Sequence, residues 1–396
     1  MTDAARMAAL EAATAEADPS SLAAAERLRR SFPAEEVAWA VTQASLRRRA
    51  EAKFSRAAEM LFTPAGLEQA SREPVARWRA QRFAEAGVEE VWDLGCGIGS
   101  DAMACADLGL RVVAVEADAD TAAVARHNLA LAGGGTVVLG RAEDARPPAD
   151  AAVFLDPARR TARGRSWNVA DFTPSWDFVL GQLAGERFAC VKLGPGVPKE
   201  LIPDGVQTVF VSHRGDVVEA SLWNRLPAGS RAVVIGRASA ATLTVSGALG
   251  SGAPGPVHTV RELTPDARRP LHVLPVGRYV LEPDGSVIRA GLIDAIAPEH
   301  ELWLLDPHTA YLSSDGPLSS PYATCFEVLE VLDYDVKRLR GWVREHAVGT
   351  VEIKKRGLDV DPAALRRQLK PKGPNAATVI LARTVDGAKA LICSRP

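Results

Sequence analysis

Three glycines at alternate positions, Gly95, Gly97 and Gly99, close the apolar run "VWDL" and open the helical stretch "SDAMACADLG". A turn without side chains lets the backbone approach a nucleotide-like group closely, while the amides of the following helix point at it. Glu116 ends the next apolar run, "RVVAVE", nineteen residues after Gly97. A carboxylate at that place can accept both hydroxyls of a ribose, so both halves of an adenosine site are present. A second stretch, "FLDPARRTARGR", sets Asp156 and Pro157 just past a fourth apolar run, at the strand end where ligands bind in doubly wound sheets. Behind it, Arg159, Arg160, Arg163 and Arg165 with Trp167 form a basic loop. Such a loop is either a solvated face or a contact for a phosphate backbone and a flipped base.

The elements that must position these residues are legible in the pattern around them. Residues 1 to 85 are rich in Ala, Glu and Arg, with apolar residues at helical spacing and Pro only at 19, 33, 64 and 74, which predicts a helical region. From Val88 to Arg237, short runs ("VEEVWDL", "RVVAVEA", "GTVVLG", "AAVFLD", "FACVKLG", "TVFVSH", "VVEASLW", "RAVVIG") alternate with helical stretches. That alternation predicts an α/β fold, a largely parallel doubly wound sheet covered on both faces. "SGALGSGAPGPV", 246 to 257, reads as a turn-rich linker, and the last seventy or so residues read strand, helix, strand, strand. The expected domains are 1–85, 86–255, 256–324 and 325–396.

With 396 residues, 47% of them hydrophobic, the chain can bury sizeable cores. No apolar run has the length of a membrane span, and "MTDAARMAALEAATAEADPS" has neither a basic nor an apolar targeting region, so no membrane partner and a cytoplasmic location are expected. Five scattered cysteines without CxxC spacing read as reduced thiols, and seven histidines show no metal spacing, so no metal is expected. Net charge is -2, yet residues 337 to 372 carry eleven basic and four acidic side chains, a local net of seven positive charges. Within them lies "VEIKKRG", with Lys354, Lys355 and Arg356 as candidate phosphate contacts.

The dinucleotide fingerprint spaces its glycines G-x-G-x-x-G, whereas "DLGCGIG" has G-x-G-x-G preceded by Asp93. This resembles motif I of the class I S-adenosylmethionine-dependent methyltransferases. The resemblance implies that Asp93, Gly95, Cys96, Gly97, Gly99, Glu116 and Ala117 surround the methyl donor, with Asp93 near its ammonium. "GRAED" stands where the adenine-binding motif belongs, implying Ala142 and either Glu143 or Asp144. "DPAR" is similar to the Asp/Asn-Pro-Pro-aromatic motif of base amino-methyltransferases. By that similarity Asp156 and the carbonyl following it accept the protons of an amine, while Arg159, in place of the aromatic, stacks on a base or holds a phosphate.

Across nearly its full length the chain resembles bacterial class I methyltransferases that carry a helical N-terminal segment and a THUMP-like C-terminal domain, on "FTPAGLEQASREPVARWRA", "DLGCGIGSD", "FLDPARR", "YVLEPDGSVIRAGL" and "VEIKKRG". Similarity to cap-guanine N2-methyltransferases implies that "LFTPAGLEQAS" caps the site, with Thr63 and Gln69 as substrate contacts; Thr63 also reads as a helix cap with Pro64 in the first position. The expected function is N-methylation of a base in structured RNA. The alternatives are a methyltransferase of a small metabolite and a non-catalytic RNA-binding protein. In "VKLGPGVP", Lys192 reads equally as a ligand or as a salt-bridge partner.

Overall fold

A computed structural model of the chain describes residues 3–161, 164–165, 167–237 and 258–394, so the linker expected at 246 to 257 lies outside the described residues. The chain divides into two compact units, the first built mainly from Met1–Gln207 with Ala220–Ala228, the second from Thr208–Glu219, Gly229–Gly236 and Val260–Pro396.

The first unit opens with helices α1 (Asp3–Thr14), α2 (Leu22–Leu28), α3 (Ala34–Ala50), α4 (Pro64–Gln69) and α5 (Glu73–Glu85). Proline sets three of their starts: Pro33 caps α3, Pro64 opens α4, and Pro74 lies in the first turn of α5, where a missing N–H costs nothing. The first helices share one core, with Leu10, Leu28, Val37 and Ala44 buried together. A second core joins Leu46 and Phe54 to Phe62, Leu67, Ile98 and Met103, so the segment leading into α4 packs on the glycine turn itself.

Strands β1 (Glu90–Leu94), β2 (Arg111–Glu116), β3 (Thr136–Leu139) and β4 (Ala152–Leu155) follow, with α6 (Ser100–Asp107) and α7 (Ala119–Ala130) as crossovers. Helix α8 (Trp176–Ala184) then leads to the strand Ala189–Leu193. The spatial order is β3, β2, β1, β4, Ala189–Leu193, all parallel, with Ala220–Trp223 added antiparallel. All four residues of β4 are buried, as expected of a strand covered on both faces. The strand order reverses between β1 and β4, and in such sheets the crevice at the carboxyl ends of the two diverging strands is the ligand site.

In the second unit the strands Tyr279–Pro283, Ala323–Asp333, Gly387–Ser394, Asn375–Thr384 and Val348–Arg356 are neighbours in that order. Two helices, Val336–Glu345 and Pro362–Leu369, bury Leu339, Val343, Leu365 and Leu369 against one face. Val280 and Phe326, from two of the strands, share a separate buried cluster with Tyr311. The second helix corrects the expected strand, helix, strand, strand order. Asp361 accepts the Ala363 N–H at 2.9 Å, Pro362 opens the helix, and leucines four apart give it a buried stripe. Among the described residues no helix is long and apolar enough to cross a membrane.

Candidate functional site

The turn after β1 is built for close approach. Gly95, Gly97 and Gly99 have φ of +94°, +56° and +81°, values that L side chains rarely adopt. Among the described residues a Cβ added to Gly95 or Gly97 would meet nothing within 4 Å, so there the turn faces open space. Gly99 caps α6 in a left-handed conformation, turning the first amides of the helix toward that space.

Glu116, at the carboxyl end of β2, closes the other side. Its Oε2 accepts the Gly97 N–H and its Oε1 the Asp118 N–H, each at 2.9 Å. Each carboxylate oxygen has a second lone pair, so a pair of vicinal hydroxyls can still be bound. Ala117 is exposed beside it. In the short turn Ala142–Asp144, Ala142 is buried, Glu143 pairs with Arg141 at 3.4 Å, and Asp144 is exposed.

Beneath the turn Asp93 is almost fully buried, with Oδ1 lacking a hydrogen-bond partner among the described residues, beside Asp101, which Arg79 engages in a buried ion pair. Burial, with the nearby carboxylates of Asp101 and Asp156, pushes the Asp93 carboxyl well above its usual range despite Arg79 and Lys192. Burial likewise raises the Cys96 thiol. An unpartnered buried carboxylate oxygen, an open glycine cradle and a ribose-type acceptor suit a ligand that carries an ammonium and a nucleoside.

Asp156 follows β4 on the other side of the switch point. The parallel pairing Leu155↔Val191 brings Asp156 level with Lys192, and Lys192 Nζ donates to Asp156 Oδ2. Of its two sequence readings, Lys192 is thus a salt-bridge partner. Pro157 is buried, and Ala158–Thr161 runs as a short strand. The side chains of Arg159 and Arg160 lie outside the described residues, as does Arg163.

Helix α4 stands against the same turn. Thr63 Oγ1 accepts the Gly66 N–H at 3.0 Å, so Thr63 is the expected N-cap. Gly66 abuts Ile98 so closely that a Cβ there would come within 2.2 Å of its side chain. Gln69 is exposed, and its carbonyl lies 3.4 Å from Lys192 Nζ. Lys53 Nζ donates to the carbonyls of Leu67, Glu68 and Ala70 at 2.6, 3.0 and 3.2 Å. Burial, then repulsion from Lys192 and Arg72, lowers the Lys53 ammonium to about 8. Sequence reasoning missed Lys53 and also Asn128, a buried residue of α7 that bonds both the Leu61 backbone and the Ile98 carbonyl. Only a polar residue on the buried stripe of α7 signalled it.

In the second unit the three basic residues of "VEIKKRG" do not form one patch. Lys354 and Arg356 lie on one face of the strand Val348–Arg356 and converge on Glu282, at 2.7 and 3.9 Å. Lys355 points the other way and is exposed. The strand's two-residue period separates residues that are neighbours in sequence. Arg340 and Arg344 on Val336–Glu345, and Arg367 on Pro362–Leu369, are exposed instead.

Comparison with known proteins converges on the same chemistry. Residues 323–395 match the THUMP domain-like family, and residues 5–50 match a domain of unknown function, DUF8688. The chain is 36% identical over 361 residues to an uncharacterized S-adenosylmethionine-dependent methyltransferase of Mycobacterium tuberculosis, covering 88% of this chain and 94% of the relative. A crystal structure of a candidate methyltransferase from Porphyromonas gingivalis W83 shares the fold, with TM-score 0.72 at 19% identity over 100% of this chain and 99% of the other. The chain belongs to the class I S-adenosylmethionine-dependent methyltransferases and carries a THUMP-like domain.

Proposed function

We propose that this enzyme methylates an amino or ring nitrogen of a base in structured RNA. The observation that carries the reading is the placement of Asp156 at the switch point, level with the glycine turn and, among the described residues, engaged by Lys192 through one of its oxygens, Oδ2. The other oxygen is then the acceptor for an amine N–H, as in the base amino-methyltransferases whose motif "DPAR" resembles.

In this reading the turn Gly95, Cys96, Gly97, Ile98 and Gly99 cradles the donor, and Glu116 accepts the ribose hydroxyls through its remaining lone pairs. Ala117, Ala142 and Glu143 border the adenine, and Asp93 faces the ammonium. The bound donor supplies an electrophilic methyl on a sulfonium. Asp156 and the Pro157 carbonyl hold the amine so that its lone pair points at that methyl. As the N–C bond forms and the C–S bond breaks, positive charge grows on nitrogen, and Asp156 stabilises it and takes the departing proton. Alignment of this kind is worth roughly 7–11 kcal/mol in well-oriented cases. Thr63 and Gln69, in and before α4, border the substrate side.

RNA is favoured over a metabolite by the THUMP-like match at 323–395 and by the exposed arginines Arg340, Arg344 and Arg367 on its two helices. Arg159 and Arg160, close to Asp156 in sequence, are suited to the reacting nucleotide.

The test is incubation with labelled donor and total RNA from a strain lacking the gene, followed by mass spectrometry of nucleosides. One methylated nucleoside dependent on Asp156 is expected. Label entering only small molecules would move the metabolite reading ahead.

A further inference from the structure

The carboxyl end of α4 is held by two ammonium groups from different parts of the first unit. Lys53 belongs to the turn after α3 and takes the carbonyls of Leu67, Glu68 and Ala70. That turn is itself fixed, because the Ser55 backbone and hydroxyl both bond Glu73 and the Glu73 N–H returns to the Lys53 carbonyl. Lys192 comes from the central sheet and takes the remaining carbonyl, that of Gln69. The last carbonyls of a helix lack intrahelical partners and carry the negative end of its dipole, so cations are favoured there.

Lys192 differs from Lys53 in its second contact. The same ammonium that reaches Gln69 also donates to Asp156. Its side chain is only 12% exposed and that of Asp156 33%, so water competes weakly for the lysine end. One cation therefore touches both the end of the segment that packs on the glycine turn and the group that follows β4.

We propose that Lys192 is a positioning residue: it clasps the segment 62–70 to Asp156, fixing the carboxylate rotamer and the cover over the glycine turn as one unit. This rests on the reading that Asp156 accepts the amine. Without the ammonium, the carboxylate would have to be ordered at each turnover, and the carboxyl end of α4 would lose its direct tie to Asp156 while keeping Lys53 and the packing of Leu67 on Ile98. The loss should fall on turnover more than on substrate affinity, since what disappears is pre-arrangement of the acceptor.

The experiment uses the full chain with Lys192→Met and Lys192→Arg. Hydrogen exchange is read at the Leu67 and Ala70 amides, which bond Thr63 and Gly66 within α4, and at the β1 amides as a core reference. In Lys192→Met the α4 amides should exchange at least tenfold faster while β1 is unchanged. Turnover on the total RNA described above should fall at least a hundredfold, with the KM for donor within about threefold of the parent. Lys192→Arg, which keeps the charge and both donors, should restore most of each. If Lys192→Met does not fold, Lys192→Gln replaces it, with the same pattern expected.

Unchanged exchange at α4 with parental turnover would overturn the clasp. Acceleration of β1 together with α4 would also overturn it, making Lys192 a residue of global folding. Should the parent transfer no methyl to any RNA, the RNA reading fails, while the exchange data still decide the clasp.

Discussion

The Asn128 carboxamide donates to the Ile98 carbonyl at 2.8 Å, binding helix α7 to the middle of the glycine turn. The same group donates to the Leu61 carbonyl and accepts the Leu61 N–H, at 2.9 and 2.8 Å. Three backbone groups of two separate segments thus depend on one fully buried side chain. Asn128→Ala leaves them without partners. A loss on the order of 3 kcal/mol in unfolding free energy is expected, since each unsatisfied buried polar group costs about 1–3 kcal/mol. Donor affinity should fall as well. Urea unfolding and calorimetry check the two effects, and parental values in both would show that the turn does not need this tie.

The donor cradle makes its own prediction. Gly97→Val places a branched side chain at φ +56° and into the open space before Glu116. Glu116→Ala removes the ribose acceptor and also releases the Gly97 and Asp118 amides. Each change should weaken S-adenosylmethionine binding at least tenfold, about 1.4 kcal/mol. Calorimetry showing parental affinity in both variants would refute the assignment of the turn.

Asp156 separates chemistry from binding. Asp156→Ala should leave donor affinity within a few-fold and remove most methyl transfer. It also strips Lys192 of a partner, so Asp156→Asn, which keeps an acceptor oxygen, is the cleaner companion and should retain more activity than Ala. Equal loss of donor binding and transfer in both would make Asp156 a donor-site residue.

Asp93 predicts a pH dependence of binding. Its carboxyl is raised by burial and by Asp101 and Asp156, with Arg79 and Lys192 opposing. The carboxylate is the form that attracts the donor's ammonium, so at low pH binding must first expel a proton. Donor affinity should therefore rise with pH until Asp93 ionises without help, and binding should release a proton, visible as heats that differ between buffers of different ionisation enthalpy. Asp93→Asn should bind more weakly and lose that difference. Identical buffer dependence in parent and variant would remove Asp93 from the donor site.

What the sequence made legible follows period and local chemistry. Gly97, Glu116 and Asp156 sit at strand ends that apolar runs reveal, and Thr63 with Pro64 announces a helix start. The partner of Lys192, and Asn128 altogether, were hidden because they depend on register and on contacts between segments far apart in the chain. Lys192 meets Asp156 only through the pairing of Leu155 with Val191. The alternation of Lys354 and Arg356 was readable as a strand, but their partner Glu282 lies in another segment. The helix Pro362–Leu369 carries its cap and two leucines four apart, but eight residues give too short a stripe to stand out from the charge run around them.

The last prediction concerns RNA, and the ion pairs at Glu282 decide how it must be tested. Neutralising Lys354 and Arg356 would strand the Glu282 carboxylate, which is only 20% exposed, so a weaker complex could reflect damage to the domain. Arg340, Arg344 and Arg367 are exposed on the two helices, and replacing all three with Gln removes charge without removing an ion-pair partner from Glu282. Phosphate contacts make log affinity fall by roughly 0.7–0.9 per neutralised phosphate for each tenfold rise in salt. If all three meet phosphates, the triple variant should lose about two units of salt slope, weaken across RNA sequences, and bind donor as the parent does. Filter binding from 50 to 200 mM salt, a range over which phosphate contacts show strongly, reads the slope directly. A parental slope and parental methylation in the triple variant would make these arginines a solvated face and place the RNA contact elsewhere.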